Sequence, residues 1–89
     1  MSIKLIVDGP VLENINGKVQ VEVRGNTVVK CINYLVQRQP SIKKFIFDDK
    51  GNLCQGNLIS LNGTFIENND LSHPVKDGDE IWIMKSSGF

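Results

Sequence analysis

Residues 71–84 read LSHPVKDGDEIWIM, and this stretch decides the architecture that the sequence predicts. A polar crossing ends in the DGD of residues 77–79, where glycine can adopt the positive φ angle of a tight turn. Residues 80–84 follow as a strand in which Ile81 and Ile83 point to one side. The aspartates lie in an exposed turn with no pocket to separate their pKa values, so the pattern favours a structural turn over acid–base catalysis.

Four further strands are predicted upstream of this stretch. Residues 58–66, LISLNGTFI, form two short strands around Asn-Gly, the dipeptide typical of a type I′ hairpin turn. Residues 3–7 alternate with period two, and residues 19–23 do so again with valine at every second position. The loop over residues 13–17 ends in another Asn-Gly, so we expect these two strands to form an antiparallel hairpin.

The hydrophobic period changes after Thr27, which predicts one amphipathic helix. The apolar stripe comprises Val28, Cys31, Ile32, Leu35 and Val36. Asn26 or Thr27 can cap the first turn through a side-chain oxygen. Pro40 ends the helix, because it lacks an N–H and disfavours helical geometry at Gln39.

The order strand, strand, helix, strand, short strand, strand predicts an α+β fold. There are too few elements for a doubly wound sheet, whereas one helix across one face of a mixed sheet of four to five strands buries every apolar stripe. That architecture is the ubiquitin-like β-grasp. At 89 residues the chain forms one domain. We expect the domain to cover residues 1–84 and a flexible C-terminal tail to cover residues 85–89.

The composition excludes several classes of function. Ten basic residues balance ten acidic ones, whereas a nucleic-acid binder derives affinity from an excess of lysine and arginine. The start, MSIKLIVDG, lacks the regions of a signal peptide, and no transmembrane stretch is seen. We therefore expect a cytoplasmic protein with reduced thiols and no nucleic-acid or membrane partner.

Residues able to bind metals or perform catalysis form no recognisable pattern. Cys31 and Cys54 are far apart without a CxxC, and the single histidine, His73, precedes a proline, so no zinc site is expected. Asp48-Asp49 lies in a turn without the ligand spacing of a calcium loop. We expect Cys31 in the core and Cys54 as an exposed ordinary thiol, with a disulfide between them as the alternative. No cofactor, metal or catalytic constellation is predicted, so the chain is not expected to be an enzyme.

The amino-acid sequence of the second half resembles those of a known family. LISLNGTFI followed by LSHPVKDGDEIWIM is similar to the second half of the MoaD/ThiS sulfur carriers, which include the small subunit of molybdopterin synthase and the thiamine sulfur carrier. The crossing of that family carries a pattern like hPLxDGDEV, and His73 occupies the position before its proline. Residues 47–63, FDDKGNLCQGNLISLNG, also resemble the family's D-x-x-G-x-L stretch. The resemblance covers roughly half of the chain.

The resemblance also implies a role for the tail. In the family, the tail ends in Gly-Gly, and an ATP-dependent E1-like enzyme adenylates its carboxylate. Sulfur then displaces AMP to give a thiocarboxylate, the sulfur donor for pterin or thiazole synthesis. Glycine suits this task because the backbone must pass through a narrow channel. This sequence has no Gly-Gly, and Phe89 follows Gly88.

Four explanations of this departure stay open. Phe89 is removed so that Gly88 becomes terminal, the given sequence is shorter than the natural chain, the protein no longer carries sulfur, or the terminus has no task. The sulfur-carrying tail at Gly88 and Phe89 is therefore expected only if the tail is processed.

The face of the sheet away from the helix is a candidate docking surface. If Ile81 and Ile83 face the helix, the same alternation places four apolar side chains on the opposite side. These are Trp82, Met84, Leu58 and Ile6. Such a patch beside a tail is typical of a protein-docking surface. In the alternative, residues 42–57 fold over the patch and bury it.

Two hypotheses of different classes follow. The first is a sulfur-carrier-family protein that docks onto an E1-like adenylating enzyme or a larger synthase subunit through Trp82, Met84 and the tail. The second is an interaction module without conjugation chemistry, an accessory subunit of a molybdenum- or tungsten-type metabolic enzyme, in which Phe89 is an anchor. Deleting Phe89 separates the two, because it helps adenylation in the first and weakens binding in the second.

Overall fold

The computed structural model of the protein describes residues 2–8, 18–54, 56–67 and 70–85. In chain order the elements are strand β1 (Ile3–Asp8), strand β2 (Lys18–Val23), helix α1 (Val28–Arg38), a 3₁₀ turn (Pro40–Ile42), the short helix α2 (Lys43–Ile46), strand β3 (Asn57–Leu61), strand β4 (Thr64–Ile66) and strand β5 (Glu80–Lys85). Strand β5 thus includes Lys85, one residue beyond the predicted end of the domain at residue 84.

The five strands form one mixed sheet in the order β2-β1-β5-β3-β4. Strands β1 and β2 form the predicted antiparallel hairpin, and β1 runs parallel to β5. Strand β3 is antiparallel to both β5 and β4. The last strand in the sequence is therefore the central strand of the sheet, and the predicted β-grasp architecture is confirmed.

One face of this sheet packs against α1 to form the core. Its buried apolar side chains are Ile3, Leu5, Val7, Val23, Val28, Cys31, Ile32, Leu35, Ile42, Ile46, Phe47, Leu53, Ile59, Val75, Ile81 and Ile83. Every second residue of β1 and β5 contributes, as period-two alternation requires. Burying one such aliphatic side chain completely stabilises the fold by about 1.5–3 kcal/mol.

The crossing between β4 and β5 supports the start of α1. Thr27 is the N-cap, and its Oγ1 accepts a hydrogen bond from the backbone of the first turn at 3.3 Å. The carbonyl oxygens of Leu71 and His73 accept the N–H groups of Val29 and Val28 at 2.8 and 3.0 Å. These are donors that the first turn of a helix cannot satisfy internally. Of the two cap candidates, the structure thus selects Thr27.

The connection from α1 to β3 contains a short helix that the sequence analysis left unassigned. Pro40 opens a new turn at a first helical position, where a missing N–H costs nothing. Helix α2 follows and ends at Ile46. In the next turn, one carboxylate oxygen of Asp48 accepts the N–H groups of Lys50 and Asn52 at 2.9 and 3.0 Å. This is an aspartate-stabilised turn, as predicted in place of a calcium loop.

The hairpin between β3 and β4 has the predicted type I′ turn. Asn62 has φ 52° and Gly63 has φ 88°, and this turn type requires positive φ at both central positions. No helix in the described ranges is long and apolar enough to cross a membrane.

Candidate protein-docking face

The side chains of strand β5 show that the two faces of the sheet differ. Ile81 and Ile83 point toward α1 and are completely buried, whereas Trp82 and Met84 on the opposite side are half-buried. We call this opposite side the open face. Its apolar members on β5, β3 and β4 are Trp82, Met84, Leu58 and Phe65. Leu58 is the register partner of Met84, while Ser60 lies between Trp82 and Phe65.

Ile6 departs from the expectation for this face. Trp82, Met84 and Leu58 are partly exposed, but Ile6 is only 4% exposed. Its strand, β1, lies between β2 and β5, and Ile6 is the register partner of both Gln20 and Trp82. Ile6 thus has a neighbouring side chain on each adjacent strand. The structure therefore corrects the predicted set, because Ile6 lies beside Trp82 but is buried and presents almost no surface to a partner.

The alternative that residues 42–57 bury the open face is wrong for the residues described. The apolar side chains of this segment, Ile42, Ile46, Phe47 and Leu53, belong to the core cluster that also contains the buried side of α1. Asn57 donates from Nδ2 to the carbonyl oxygen of Phe45 at 2.9 Å, which fixes the segment to the start of β3. The segment therefore packs on the helix side of the sheet.

Phe65 is the member of the open face that the sequence analysis missed. Its side chain is 60% exposed, and it is the most exposed large apolar residue among those described. Strand β4 has only three residues, too short to show alternation by itself. The hairpin register could have placed Phe65 on the open face, because a type I′ turn at residues 62–63 pairs Phe65 with Ser60.

Hydrogen bonds accepted by Asp79 and Asn62 hold the start of β5 against the β3–β4 turn. Asp79 accepts the Nδ2 of Asn62 at 3.0 Å on one oxygen and the N–H of Lys76 at 2.9 Å on the other. The N–H of Glu80 donates to the Oδ1 of Asn62 at 2.9 Å. The hydrogen bond from Asn62, followed by that from the Lys76 backbone, lowers the pKa of the Asp79 carboxyl. Asp79 is only 8% exposed, so the expectation of an exposed turn is wrong at this position. Its carboxylate is a charged structural acceptor.

The same turn joins the first and last strands. Gly78, with φ 90°, donates its N–H to the carbonyl oxygen of Ser2 at 2.9 Å. Lys4 donates its N–H to the carbonyl oxygen of Asp79 at 3.1 Å, and the N–H of Ser2 donates to the carboxylate of Asp77. The DGDE motif therefore sets the register of the central parallel pair.

The cysteines and the histidine do not form a reactive centre. Cys31 and Cys54 are free thiols, so the disulfide alternative is wrong. Burial raises the pKa of both thiols, and Asp48 and Asp49 raise that of Cys54 further. His73 lies 2.9 Å from Asp70, and no cluster in the described residues has three or more side chains placed to hold a metal ion.

Two predicted site residues, Gly88 and Phe89, lie outside the described residues. The structure places the last described residue, Lys85, at the end of the central strand, where it pairs with Asn57. Lys85 thus ends the strand whose open side carries Trp82 and Met84.

The fold and the open face define a ubiquitin-like β-grasp protein, and the comparisons with known proteins identify its family. The model of the ThiS family matches residues 11–86, which is most of the chain. The chain therefore belongs to the ThiS family, whose MoaD- and ThiS-type members are non-catalytic carrier proteins with this fold. No curated protein is significantly similar to the chain in sequence.

Several solved structures are similar over nearly the whole chain. SAMP1 of Haloferax volcanii, a small archaeal modifier protein, is 25% identical with a TM-score of 0.76, and the match covers 100% of both chains. A chain in the BexX/CysO complex of Amycolatopsis orientalis is 23% identical with a TM-score of 0.72, covering 96% of this chain and 98% of that one. A chain in the complex of subunits 1 and 2 of the molybdopterin-converting factor of Helicobacter pylori is 20% identical with a TM-score of 0.62, covering 100% and 99%. The two matches below 25% identity support the fold alone.

Proposed function

We propose that this protein is a sulfur carrier that becomes active when Phe89 is removed and Gly88 is the C-terminal residue. The observation that carries the proposal is the ThiS family match, which extends through residue 86 and thus through the whole of β5. In this proposal the reactive end follows Lys85, the last residue of the central strand of the sheet.

The proposed reaction has three steps. Hydrolysis of the peptide bond between Gly88 and Phe89 frees the glycine carboxylate. A carboxylate oxygen attacks the α-phosphorus of ATP, pyrophosphate leaves, and an acyl-adenylate forms. A sulfur nucleophile at the oxidation level of hydrosulfide then attacks the acyl carbon, AMP leaves, and the product is a thiocarboxylate. The catalytic groups come from an E1-like enzyme, and the carrier supplies a carboxylate with no Cβ beside it.

We place this reaction in the cytoplasm and assign docking on the adenylating enzyme to the open face. Trp82, Met84 and Leu58 combine partial exposure with neighbours that hold them in place, and aromatic side chains of this kind dominate the binding energy of many interfaces. The similar chains from Amycolatopsis and Helicobacter were both solved in complexes, with BexX and with a second subunit. That supports a protein partner for this chain.

A second candidate function is an interaction module without conjugation chemistry, such as an accessory subunit of a molybdenum- or tungsten-type enzyme. The observation that favours it is the sequence SSGF at residues 86–89, which lacks Gly-Gly. In this function the ring of Phe89 fills a pocket of the partner and is never removed.

The intact mass of the protein isolated from its own cells tests the two functions. A mass without phenylalanine, with or without a sulfur in place of one oxygen, supports the carrier. A mass that includes Phe89 overturns Gly88 as the reactive terminus.

A matched pair of chains ending at Gly88 and at Phe89 is then incubated with ATP and an E1-like adenylating enzyme. The carrier proposal requires acyl-adenylate on the shorter chain only, and Trp82→Ala in that chain should slow its formation.

A further inference from the structure

A groove of about 340 Å³ crosses the open face. It is lined by Ser60, Gly63, Phe65, Glu80, Trp82 and Met84. Phe65 and Trp82 stand on either side of Ser60 in the sheet register, so the small serine lies between two aromatic residues. Neighbouring strands are about 4.8 Å apart, which places the backbones of the two aromatic residues about 10 Å apart. That spacing admits one side chain of a partner.

The groove has an acidic end. Glu80 precedes Trp82 by two residues on the same face of β5, and its Oε1 accepts a hydrogen bond from the indole N–H of Trp82. This bond fixes the carboxylate at the groove. A carboxylate has roughly four acceptor positions, so Glu80 keeps capacity for further donors.

The charge of Glu80 is not paired within the described part of the chain, where the sole ion pair joins His73 and Asp70. The cation nearest in register is Lys4, which lies on β1, on the side of β5 away from the groove. An apolar occupant would remove water from the Glu80 carboxylate without replacing its hydrogen bonds, which is unfavourable. An acidic occupant would be repelled. The groove therefore calls for a positively charged occupant with a long apolar stem.

We propose that this groove binds an arginine side chain presented by a partner protein. The inference rests on the proposed function only in that a protein docks on the open face. The methylene groups of arginine pack against Phe65 and Met84, as long cationic side chains do on apolar surfaces. Its planar guanidinium stacks on an aromatic ring and donates two parallel hydrogen bonds to the Glu80 carboxylate. Lysine fits less well, because its ammonium group neither stacks nor forms paired bonds.

The test uses the isolated protein and small probes followed by nuclear magnetic resonance. N-acetyl-arginine N-methylamide should shift the indole N–H signal of Trp82 and the ring signals of Phe65, with an affinity in the millimolar range. The citrulline analogue has the same length and a planar but neutral end, and the norleucine analogue is only apolar. Since exposed ion pairs contribute up to about 1 kcal/mol, both should bind about fivefold more weakly. Equal or tighter binding of either analogue overturns the proposal.

Two glutamates provide a matched pair of variants. Glu80→Gln should weaken binding of the arginine probe by about threefold to fivefold. Glu67→Gln removes the same charge from an exposed position just after β4, outside the groove, and should leave binding unchanged. Equal losses in both variants would mean a general charge effect and would overturn the site. The Trp82 indole signal in the free variants shows that each is folded.

This outcome is independent of sulfur chemistry. A chain that binds the arginine probe but never forms an acyl-adenylate refutes the proposed function and leaves the groove assignment standing. A chain that is adenylated but does not prefer arginine over citrulline refutes the groove assignment alone.

Discussion

The two sides of β5 have the same backbone and opposite surroundings. On one side Ile81 and Ile83 are completely buried under α1, and on the other Trp82 and Met84 are half-buried, with no helix or strand of the described residues packed over them. Because side chains alternate along a strand, a single element can stabilise the fold with one set of residues and meet a partner with the other. The open side can then change in sequence at little cost to the fold.

Ile6 is an exception to this contrast between a buried and a partly exposed side of the sheet. It lies on the open side, yet it is 4% exposed and does not belong to the core cluster under α1. Its register partners on the two neighbouring strands are Gln20 and Trp82. Ile6 is therefore buried on the open side, while the larger Trp82 beside it still reaches solvent.

The largest effect is expected on the helix side of β5. Ile83→Ala should lower the free energy of unfolding by about 2–5 kcal/mol, because it removes a fully buried side chain and leaves a cavity between the sheet and α1. Urea unfolding followed by circular dichroism measures this loss.

Met84→Ala is the matched control for Ile83→Ala, since it truncates the next residue on the opposite side of the same strand. It should cost clearly less, because Met84 is already partly exposed. Equal losses of unfolding free energy in the two variants would contradict the claim that the helix side of β5 stabilises the fold more than the open side.

The next effect concerns the contacts that hold β5 in register. Asp79→Ala should lower the free energy of unfolding by about 1–3 kcal/mol, because the Asn62 amide and the Lys76 N–H lose their shared acceptor. Asp77→Ala removes the other carboxylate of the turn, whose bond to Ser2 is exposed, and should cost about 0.5 kcal/mol or less. Urea unfolding of both variants checks the ranking, and a reversed order would show that the N-terminal contact dominates.

The lowered pKa of Asp79 also gives stability a pH dependence. The charged carboxylate is favoured in the folded state, so its contribution is fully present above the unfolded-state pKa of about 3.9. It is lost as the pH falls through the lower pKa of the folded state. Thermal unfolding between neutral pH and this acid range should therefore show a steeper decline for the natural chain than for Asp79→Ala. Parallel curves would assign the acid sensitivity to other carboxyl groups.

The elements that local patterns specify were predictable from the sequence. Period-two alternation located the long strands, the change of period located α1, and two positive φ angles confirm the Asn-Gly turn at residues 62–63. The resemblance of residues 58–84 to sulfur carriers agrees with the ThiS family match. These features depend on residues close together in the chain, where sequence patterns carry the most information.

The features that sequence analysis missed depend on distant contacts. Helix α2 has four residues, too few for a helical period, and it is held by packing of Ile42 and Ile46 in the core. Ile6 lies beside Trp82 because β1 pairs in parallel with β5, across most of the chain. The contact between Asn62 and Asp79 likewise joins two turns that are far apart in sequence. Local residue patterns do not reveal which turns meet.

The smallest effect on stability is expected at the residue that the sequence analysis overlooked. Phe65→Ala should change the free energy of unfolding by no more than about 0.5 kcal/mol, because a side chain that is 60% exposed loses little burial when truncated. Ile66→Ala, one residue along, should cost more, since Ile66 packs against the core opposite Ile59. Urea unfolding gives both free energies of unfolding.

If Phe65→Ala cost as much as Ile66→Ala, the ring of Phe65 would have to be part of the packed fold. A small loss, together with weaker binding of the arginine probe, would instead assign the exposed ring of Phe65 to recognition, as expected for the open side of the sheet.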